Sequence, residues 1–353
     1  MQNSRILLTT VLKNVSRAFY LSMRVLPDGV RQPISVGYLL ARAADTIADT
    51  PGLAVEERLR RLNVLRSLVA TLRYENVAEA DGLRGWSEGA TEGEKRLLDV
   101  IPQVLQVALL LPGDDRRAVQ KVVDTLISGM VLDLSSFPGS FQMDAQLDEY
   151  TYLVAGCVGE FWSLIIARHT RALRAWDCRH WSKIGIRFGK ALQLTNVLRD
   201  AVKDLENGRC YLPGLVGAEW LTWAREHDND FYAAAMEQLN HSSQRTIFDY
   251  WLKVALEHYG AAIEYTLSLP WYCWRLRLAV IWPIAIGLAT LAKLSVAPNW
   301  LQKGCRVKVD RSWVYRMLFI SLPISLCSPV LRWWLNKWWS RANSTIKKEP
   351  RFS

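Results

Sequence analysis

Apolar side chains recur at three- and four-residue steps over most of the chain, and alternating apolar and polar positions are scarce. In 55–73, VEERLRRLNVLRSLVATLR, this spacing places the apolar side chains along one face of an amphipathic helix. Five further segments show the same pattern: 94–111, 114–134, 146–168, 179–206 and 229–267. The chain is therefore predicted to be all-α.

Glycine and proline mark the breaks between these helices. Residues 74–93 contain four glycines among acidic residues and are predicted to form a surface loop, while FPGS at 137–140 and LPG at 212–214 end two more helices. No segment has the composition of an interdomain linker. We predict one helical domain over residues 1–310, followed by a C-terminal tail over 311–353.

Two strongly apolar segments lie near the end of the sequence. Segment 278–292 has fifteen residues, fewer than the roughly 20 that cross a bilayer, and is predicted to be a buried core helix. Segment 317–335 is long enough, but two prolines and an arginine interrupt it, so spanning the bilayer and lying in its interface both stay open. Five of the sixteen tryptophans lie in 311–353 beside arginine and lysine, which is typical of a membrane interface.

Lys and Arg number 44 against 34 Asp and Glu, and the formal charge of +10 suits nucleic acid, a membrane surface or a phosphorylated substrate. The basic residues are dispersed and form no recognised module, which disfavours nucleic acid. Six scattered cysteines without a CxxC pair predict neither a zinc site nor disulfides, as in a reducing cytosol. No signal peptide is expected, because the apolar patch in residues 1–15 lacks a cleavage site.

Three pairs of aspartates have i, i+4 spacing: Asp45 with Asp49, Asp144 with Asp148, and Asp200 with Asp204. On a helix, such a pair places both carboxylates on one face, roughly 5–6 Å apart at Cβ. The repulsion between them destabilises a bare helix, and a bound cation reverses that cost. The pair at 144 and 148 directly follows FPGS and begins a helix, where acids complement the helix dipole, so we assign it a structural role.

The other two pairs are predicted to lie inside long, largely apolar helices. Ordinary ion pairs with neighbouring arginines or Lys203 would explain charges on an exposed face, but not this apolar setting. We therefore interpret both pairs as ligands of Mg²⁺ ions that keep several waters and bridge to diphosphate oxygens. Arginines suited to clamp such oxygens are Arg17, Arg42, Arg199 and Arg209.

Several segments in a fixed order carry a family resemblance. They are SRAFYLSMRVLP, YLLARAADTIAD, YTYLVAGCVGEF, LQLTNVLRDAVKDLENGRCYLP and WPIAIGLATL, and they cover about 280 residues. Together they resemble squalene and phytoene synthases, the head-to-head prenyltransferases. The resemblance implies a helical isoprenoid-synthase domain in which two acidic motifs bind Mg²⁺ and substrate diphosphates across a central cavity.

The resemblance assigns roles to individual residues. The metal and diphosphate face would be Asp45, Asp49, Asp200 and Asp204, and its polar shell Ser16, Arg17, Tyr38, Arg42, Gln193, Asn196 and Arg199. Arg209 and Tyr211 match the R-x-F/Y-x-P end of the second motif. Tyr150 matches the proposed proton shuttle of cyclopropane formation, but a core tyrosine with a satisfied hydroxyl stays an open alternative.

The implied activity is squalene synthesis: two farnesyl diphosphates condense to presqualene diphosphate, which NADPH reduces. Phytoene synthesis from geranylgeranyl diphosphate, and release of dehydrosqualene or presqualene diphosphate, remain alternatives; a membrane-bound helical scaffold is the non-enzymatic one. Many squalene synthases have additional acids where this chain has Ala48 and Lys203, which leaves the number of metal ions open. A monomer at the cytoplasmic face of a membrane is expected.

Overall fold

The computed structural model describes residues 19–50, 52–73, 86, 92–217, 219–226, 228–239, 241–304 and 307–344. Ser16 and Arg17, two predicted substrate-binding residues, lie outside the described residues. So does nearly all of the predicted loop at 74–93.

The described chain is almost entirely helical, which confirms the predicted fold class. In chain order the helices are α1 (Phe19–Val25), α2 (Asp28–Ala48), α3 (Val55–Thr71), α4 (Glu92–Asp99), α5 (Ile101–Leu109), α6 (Gly113–Ser136), α7 (Asp144–Thr151), α8 (Cys157–His169), α9 (Cys178–Glu206), α10 (Trp220–Glu226), α11 (Phe231–Gln238), α12 (His241–Ser268), α13 (Trp274–Ser295), α14 (Arg311–Ser325) and α15 (Ser328–Asn343). A π-helical turn, Tyr152–Gly156, joins α7 to α8, and a 3₁₀ turn, Arg171–Leu173, follows α8.

Three predicted helices are divided in the structure. Segment 94–111 forms α4 and α5, because Pro102 in the first turn of α5 starts a new helix. Segment 146–168 is interrupted by the π-helical turn. Segment 229–267 forms α11 and α12, because Leu239 has extended backbone angles that end α11.

The FPGS segment at 137–140 forms part of a short β-ladder as well as a turn. Gly139–Ser140 (β1) pairs in parallel with Arg209–Cys210 (β2), in the register Gly139 to Arg209 and Ser140 to Cys210. Backbone hydrogen bonds of 2.9 Å from Gly139 N–H to the Gly208 carbonyl and from Phe141 N–H to the Cys210 carbonyl extend the pairing. This short ladder fixes the segment that carries Arg209.

The chain forms two compact units, residues 1–135 with 160–182 and residues 136–159 with 183–353. In the first unit, α2 packs against α3, α4 and α5. Its buried Asp115 accepts hydrogen bonds from Arg168 Nη1 at 3.0 Å and from His169 Nε2 at 2.7 Å, which tie α6 to α8. The second unit is built around α13, which packs against α12, α14 and α15.

Helix α13 contains the predicted core segment 278–292, and its apolar side chains are buried, which confirms that interpretation. In the part of the chain that the structure describes, two stretches are long and apolar enough to cross a membrane: α13 and the segment Asp144–His169. The most apolar windows of these stretches are 72% and 50% buried, and a core helix of a soluble protein passes the same test.

The predicted apolar segment 317–335 is not one helix. Helix α14 ends at Ser325 and α15 begins at Ser328, with Pro329 in the first turn of α15. Both helices pack against α13, burying one face each. A 19-residue helix crossing a bilayer between 317 and 335 is therefore not the conformation found.

Two glycines allow a backbone contact in the second unit. A Cβ added at Gly189 of α9 would lie 2.1 Å from the Ala155 carbonyl oxygen, and one added at Gly159 would lie 1.8 Å from the Gly185 carbonyl oxygen. Real side chains do not approach backbone so closely. Glycine is thus required where the π-helical turn and the start of α8 cross α9.

His258 of α12 gives a pH-dependent contribution to stability. Its burial and the nearby Arg187 and Lys190 lower the imidazole pKa from 6.5 to about 4, and Arg187 Nε donates a hydrogen bond to its Nδ1 at 3.3 Å. Between pH 4 and pH 6.5 the imidazole is therefore neutral in the folded protein but protonated in the unfolded chain, so unfolding is coupled to proton uptake by His258. We expect the free energy of unfolding to fall as the pH decreases from 6.5 to 4, by about 3 kcal/mol from this group.

The variant His258→Gln, whose amide oxygen can accept the same hydrogen bond, should lose this contribution in urea unfolding measured between pH 4 and 8. At pH 8 both proteins should unfold alike, which serves as the internal control. An equally steep acid dependence in His258→Gln would contradict the assignment.

Candidate active site

The first acidic motif lies at the C-terminal end of α2. Asp45 is in the last turn, and Asp49 is the residue that ends the helix, so the prediction that both lie well inside a helix is wrong for Asp49. The chain turns away because Thr50 precedes a proline, which disfavours a further helical turn. The i, i+4 relation is kept, since the Asp49 N–H donates to the Asp45 carbonyl at 2.9 Å.

Arg42 joins the first motif to a second acidic group. Its Nη1 donates to Asp45 Oδ2, and its Nη2 donates to Glu94 Oε1 of α4 at 2.6 Å. The guanidinium is half-buried, and it donates hydrogen bonds both to Asp45 of the motif and to Glu94 of α4. Glu94 was not a predicted site residue.

The charge on Asp45 is disfavoured in the folded protein. Burial, followed by the repulsion from Asp49, raises the pKa of its carboxyl to about 6, although Arg42 acts in the opposite direction. Burial also raises the pKa of Tyr38, two turns before Asp45 on the same helix. A divalent cation beside the two carboxylates would relieve the repulsion between them.

The second acidic motif follows the polar face of α9. Gln193, Asn196, Arg199, Asp200 and Asp204 are all half-buried, whereas most of the residues between them are buried: Leu194, Thr195, Val197, Leu198 and Ala201. Arg199 donates to both carboxylate oxygens of Asp200, from Nε at 2.9 Å and from Nη2, and this contact raises the pKa of Arg199. Asn196 Nδ2 lies 3.5 Å from Gln193 Oε1.

A crevice at the end of α9 brings Asp204 together with Arg209 and Tyr211. Arg209 is held there by the β1–β2 pairing, whereas Asp204 belongs to α9. Different elements therefore position the guanidinium and the carboxylate. The structure thus brings Asp204, the last residue of the second motif, together with the R-x-Y-x-P end of that motif.

Tyr150 belongs to an aromatic cluster. Its ring stacks on Tyr211 with centroids 4.9 Å apart and an interplanar angle of 22°, and the edges of Phe141 and Phe137 complete the group. Tyr150 is buried, and aromatic faces of this kind stabilise a carbocation held against them. Phe137 and Phe141 were not predicted as site residues. Their position in FPGS and directly after it was the sequence feature that could have identified them.

The third aspartate pair, Asp144 and Asp148, lies at the start of a helix, as predicted. Asp144 is the first residue of α7 and accepts a hydrogen bond from Tyr250, and Asp148 accepts one from Lys190 Nζ. Both contacts are at the protein surface. They agree with a structural role.

Both candidate motifs offer hard oxygen donors, which fit Mg²⁺. Among the residues that the structure describes, no group of three or more His, Cys, Asp or Glu side chains lies close enough to hold a metal ion. Mg²⁺ commonly takes only one or two carboxylates and completes its shell with waters and substrate phosphates. The motifs therefore suit a metal ion that arrives with a diphosphate.

Comparisons with known proteins extend this description. The family profile described as squalene/phytoene synthase matches residues 12–313. The presqualene diphosphate synthase of Zymomonas mobilis is 31% identical over 56% of this chain and 56% of its own length. The squalene synthase of Schizosaccharomyces pombe is 26% identical over 58% of this chain and 43% of its own length. The chain thus spans about half the length of these curated relatives.

Solved structures give the same picture for the backbone. A complex of TcSQS with the ligand BPH1237 superposes with a TM-score of 0.74 at 20% sequence identity, covering 100% of this chain and 94% of that one. At this identity the likeness establishes the fold.

Proposed function

Because the chain belongs to the squalene/phytoene synthase family, we propose that it is a Mg²⁺-dependent squalene synthase that condenses two farnesyl diphosphates to presqualene diphosphate and reduces this to squalene. One observation carries the proposal. Each of the two acidic motifs has an arginine in direct contact with an aspartate, Arg42 with Asp45 and Arg199 with Asp200. Carboxylates for a metal and guanidinium groups for phosphate oxygens are thus present together at each motif.

Asp45 with Asp49, and Asp200 with Asp204, would hold Mg²⁺, which would supply positive charge to a departing diphosphate. Arg42 and Arg199 would turn from their aspartates to the diphosphate oxygens when the metal takes up the carboxylates. Arg209 would likewise contact diphosphate oxygens, from β2. Gln193, Asn196 and Tyr38 would donate hydrogen bonds to the phosphate groups, as would Ser16 and Arg17 on the family pattern.

The aromatic cluster would serve the carbon chemistry. When one farnesyl diphosphate loses its diphosphate, the allylic C1 is attacked by the double bond of the second molecule, and loss of a proton closes the cyclopropane. The faces of Tyr150 and Tyr211 would stabilise the positive charge. Tyr150 is proposed to take up or relay the proton.

Further parts of the proposal rest on the family relation and on composition. NADPH is proposed as the hydride donor of the second half-reaction by the family relation alone. The basic, tryptophan-rich tail, 311–353, is proposed to hold the protein, as a monomer, at the cytoplasmic face of a membrane.

Product analysis tests the proposal. Purified protein is incubated with Mg²⁺ and either farnesyl or geranylgeranyl diphosphate, with and without NADPH, and the lipid products are identified by mass spectrometry. We expect squalene from the C15 substrate only with NADPH, and no product with EDTA. Phytoene from the C20 substrate would favour phytoene synthase instead, the second activity that the family description names. Failure to convert either substrate would favour the non-enzymatic alternative, a membrane-bound helical scaffold.

Ala48 and Lys203 occupy positions where many squalene synthases have acids, so they bear on the number of metal ions that this protein binds. Ala48 is buried at the end of α2, whereas Lys203 is exposed on α9. We expect Lys203→Asp, which adds a carboxylate beside Asp204, to lower the Mg²⁺ concentration for half-maximal rate several-fold. Lys183→Asp, on the same helix but remote from the motif in sequence, makes the same change in charge and should leave it unchanged. Equal shifts in both variants would show that net charge alone acts.

A further inference from the structure

Four exposed apolar side chains form a single stripe along the outer face of α14 and the residue that directly follows it. They are Tyr315, Phe319, Leu322 and Leu326, spaced i, i+4, i+7 and i+11, and Phe319 is 83% exposed. The opposite face of α14 carries Met317, Ser321 and Ser325, which are buried. Since soluble surfaces rarely gather large apolar side chains in this way, the stripe indicates a binding surface.

A buried arginine brings a second exposed group to the end of the stripe. Arg277 donates from Nε to the Leu269 carbonyl and from Nη1 to the Ser325 carbonyl, both at 2.8 Å, and from Nη2 to Ser328 Oγ at 2.8 Å. The turn between α12 and α13 is therefore bound to the corner between α14 and α15. Trp271 and Tyr272, both 58% exposed, lie on that turn.

The charge around this surface identifies its partner. The described part of the C-terminal tail, residues 311–344, contains five basic residues and no acidic one. Such a surface repels a second copy of itself and attracts an anionic one. Lys337 and Arg341 lie against the rings of Trp333 and Trp338, so cations and aromatic rings alternate as at a lipid headgroup layer.

We propose that the α14 stripe and the Trp271–Tyr272 turn form one docking surface that lies in the plane of an anionic lipid membrane. The helices do not cross the bilayer: α14 and α15 have 15 and 16 residues, or roughly 22–24 Å, short of a hydrocarbon core of about 30 Å, and each buries one face on protein. The apolar side chains enter the headgroup region, and the basic residues contact lipid phosphates. This inference rests on the membrane role proposed above for 311–353 and adds to it a binding surface, a mode of insertion and two residues outside the tail, but it does not depend on the catalytic assignment.

Cosedimentation of the full chain with vesicles tests the proposal. Vesicles of phosphatidylcholine alone are compared with vesicles containing about 30% phosphatidylglycerol, at about 0.1 M and 0.5 M NaCl. We expect binding to the anionic vesicles that weakens with salt. Phe319→Glu should reduce the partition coefficient about tenfold or more, and Trp271→Glu should reduce it several-fold.

Leu110→Glu is the matched control, because Leu110 is a 68% exposed apolar residue of the other unit and its replacement changes the charge equally. Its binding should stay within about twofold of wild type. Circular dichroism melting must show all three variants folded.

Three results with vesicles would overturn the proposal, and a fourth, in lipid-free solution, would assign the stripe to another partner. The first is wild-type protein that ignores anionic vesicles, and the second is equal binding by Phe319→Glu and Leu110→Glu. The third is resistance of the bound protein to alkaline carbonate, which would indicate a spanning helix. A dimer in lipid-free sedimentation velocity that Phe319→Glu dissociates, without vesicle binding, would assign the stripe to a second copy instead.

Discussion

Asp45→Asn is expected to lower turnover of farnesyl diphosphate by about 10³-fold or more while leaving the protein as stable as before, or slightly more stable. The loss of rate follows if Asp45 carries part of the metal and diphosphate site. The gain in stability follows from its pKa of about 6, which shows that the fold disfavours the charged form. The side chain is 41% exposed, so solvent screens the effect, and the gain should be about 1 kcal/mol or less.

The sign of this effect gives it a pH signature. An unfolded aspartate ionises near pH 3.8, whereas folded Asp45 does so near pH 6, so its carboxyl destabilises the fold increasingly as the pH rises from 4 to 6. In metal-free buffer, the stability difference between Asp45→Asn and wild type should be absent at pH 4 and constant above pH 6. Thermal melts at four pH values with EDTA would measure it.

Asp148→Asn is the matched control, since Asp148 belongs to the third i, i+4 pair and contacts Lys190 at the surface. It should retain wild-type turnover within about twofold. Full activity in Asp45→Asn would contradict the metal assignment, and equal losses in both variants would show that the spacing of acids, and not their setting, determines the effect.

Gly189→Ala should destabilise the protein by about 3 kcal/mol or more, because a Cβ there would lie 2.1 Å from the Ala155 carbonyl oxygen and 2.9 Å from Gly156 Cα. Backbone atoms cannot move aside as a flexible side chain can, so α9 and the π-helical turn must separate. Since α9 carries Asp200 and Asp204, turnover should fall together with stability. Urea unfolding and steady-state rates on the same preparations would measure both.

Gly260→Ala provides the comparison. Gly260 lies within α12 with open space around it, and alanine there should stabilise the protein by about 0.5–1 kcal/mol through its better helix propensity. Unfolding of Gly189→Ala at the same urea concentration as wild type would refute the close approach of the two backbones.

The sequence predicts well what depends on neighbouring residues. Helices with a regular apolar face, such as α3 and α9, begin and end within two residues of their predicted limits, because one face packs against the core throughout. The core position of α13 follows from its length and composition. The acidic pairs were visible because i, i+4 spacing is itself local.

Features that depend on distant residues were missed. Glu94 contacts Arg42 across 52 positions, and nothing near either residue indicates that partner. The stacking of Tyr150 on Tyr211 depends on a strand pair of two residues per strand, too short to give an alternating pattern. The π-helical turn at Tyr152–Gly156 leaves the apolar spacing of its flanking helices intact, so periodicity predicted one helix.

The bonds of Arg277 determine how a shortened protein should be designed. Cutting the chain at residue 310, the predicted domain limit, would remove Ser325 and Ser328, so that Arg277, buried in the intact protein, would keep only one of its three hydrogen-bond partners, the Leu269 carbonyl. It would also expose the face of α13 that α14 and α15 cover. A version for crystallisation should therefore keep residues through 344 and gain its solubility from polar replacements on the α14 stripe.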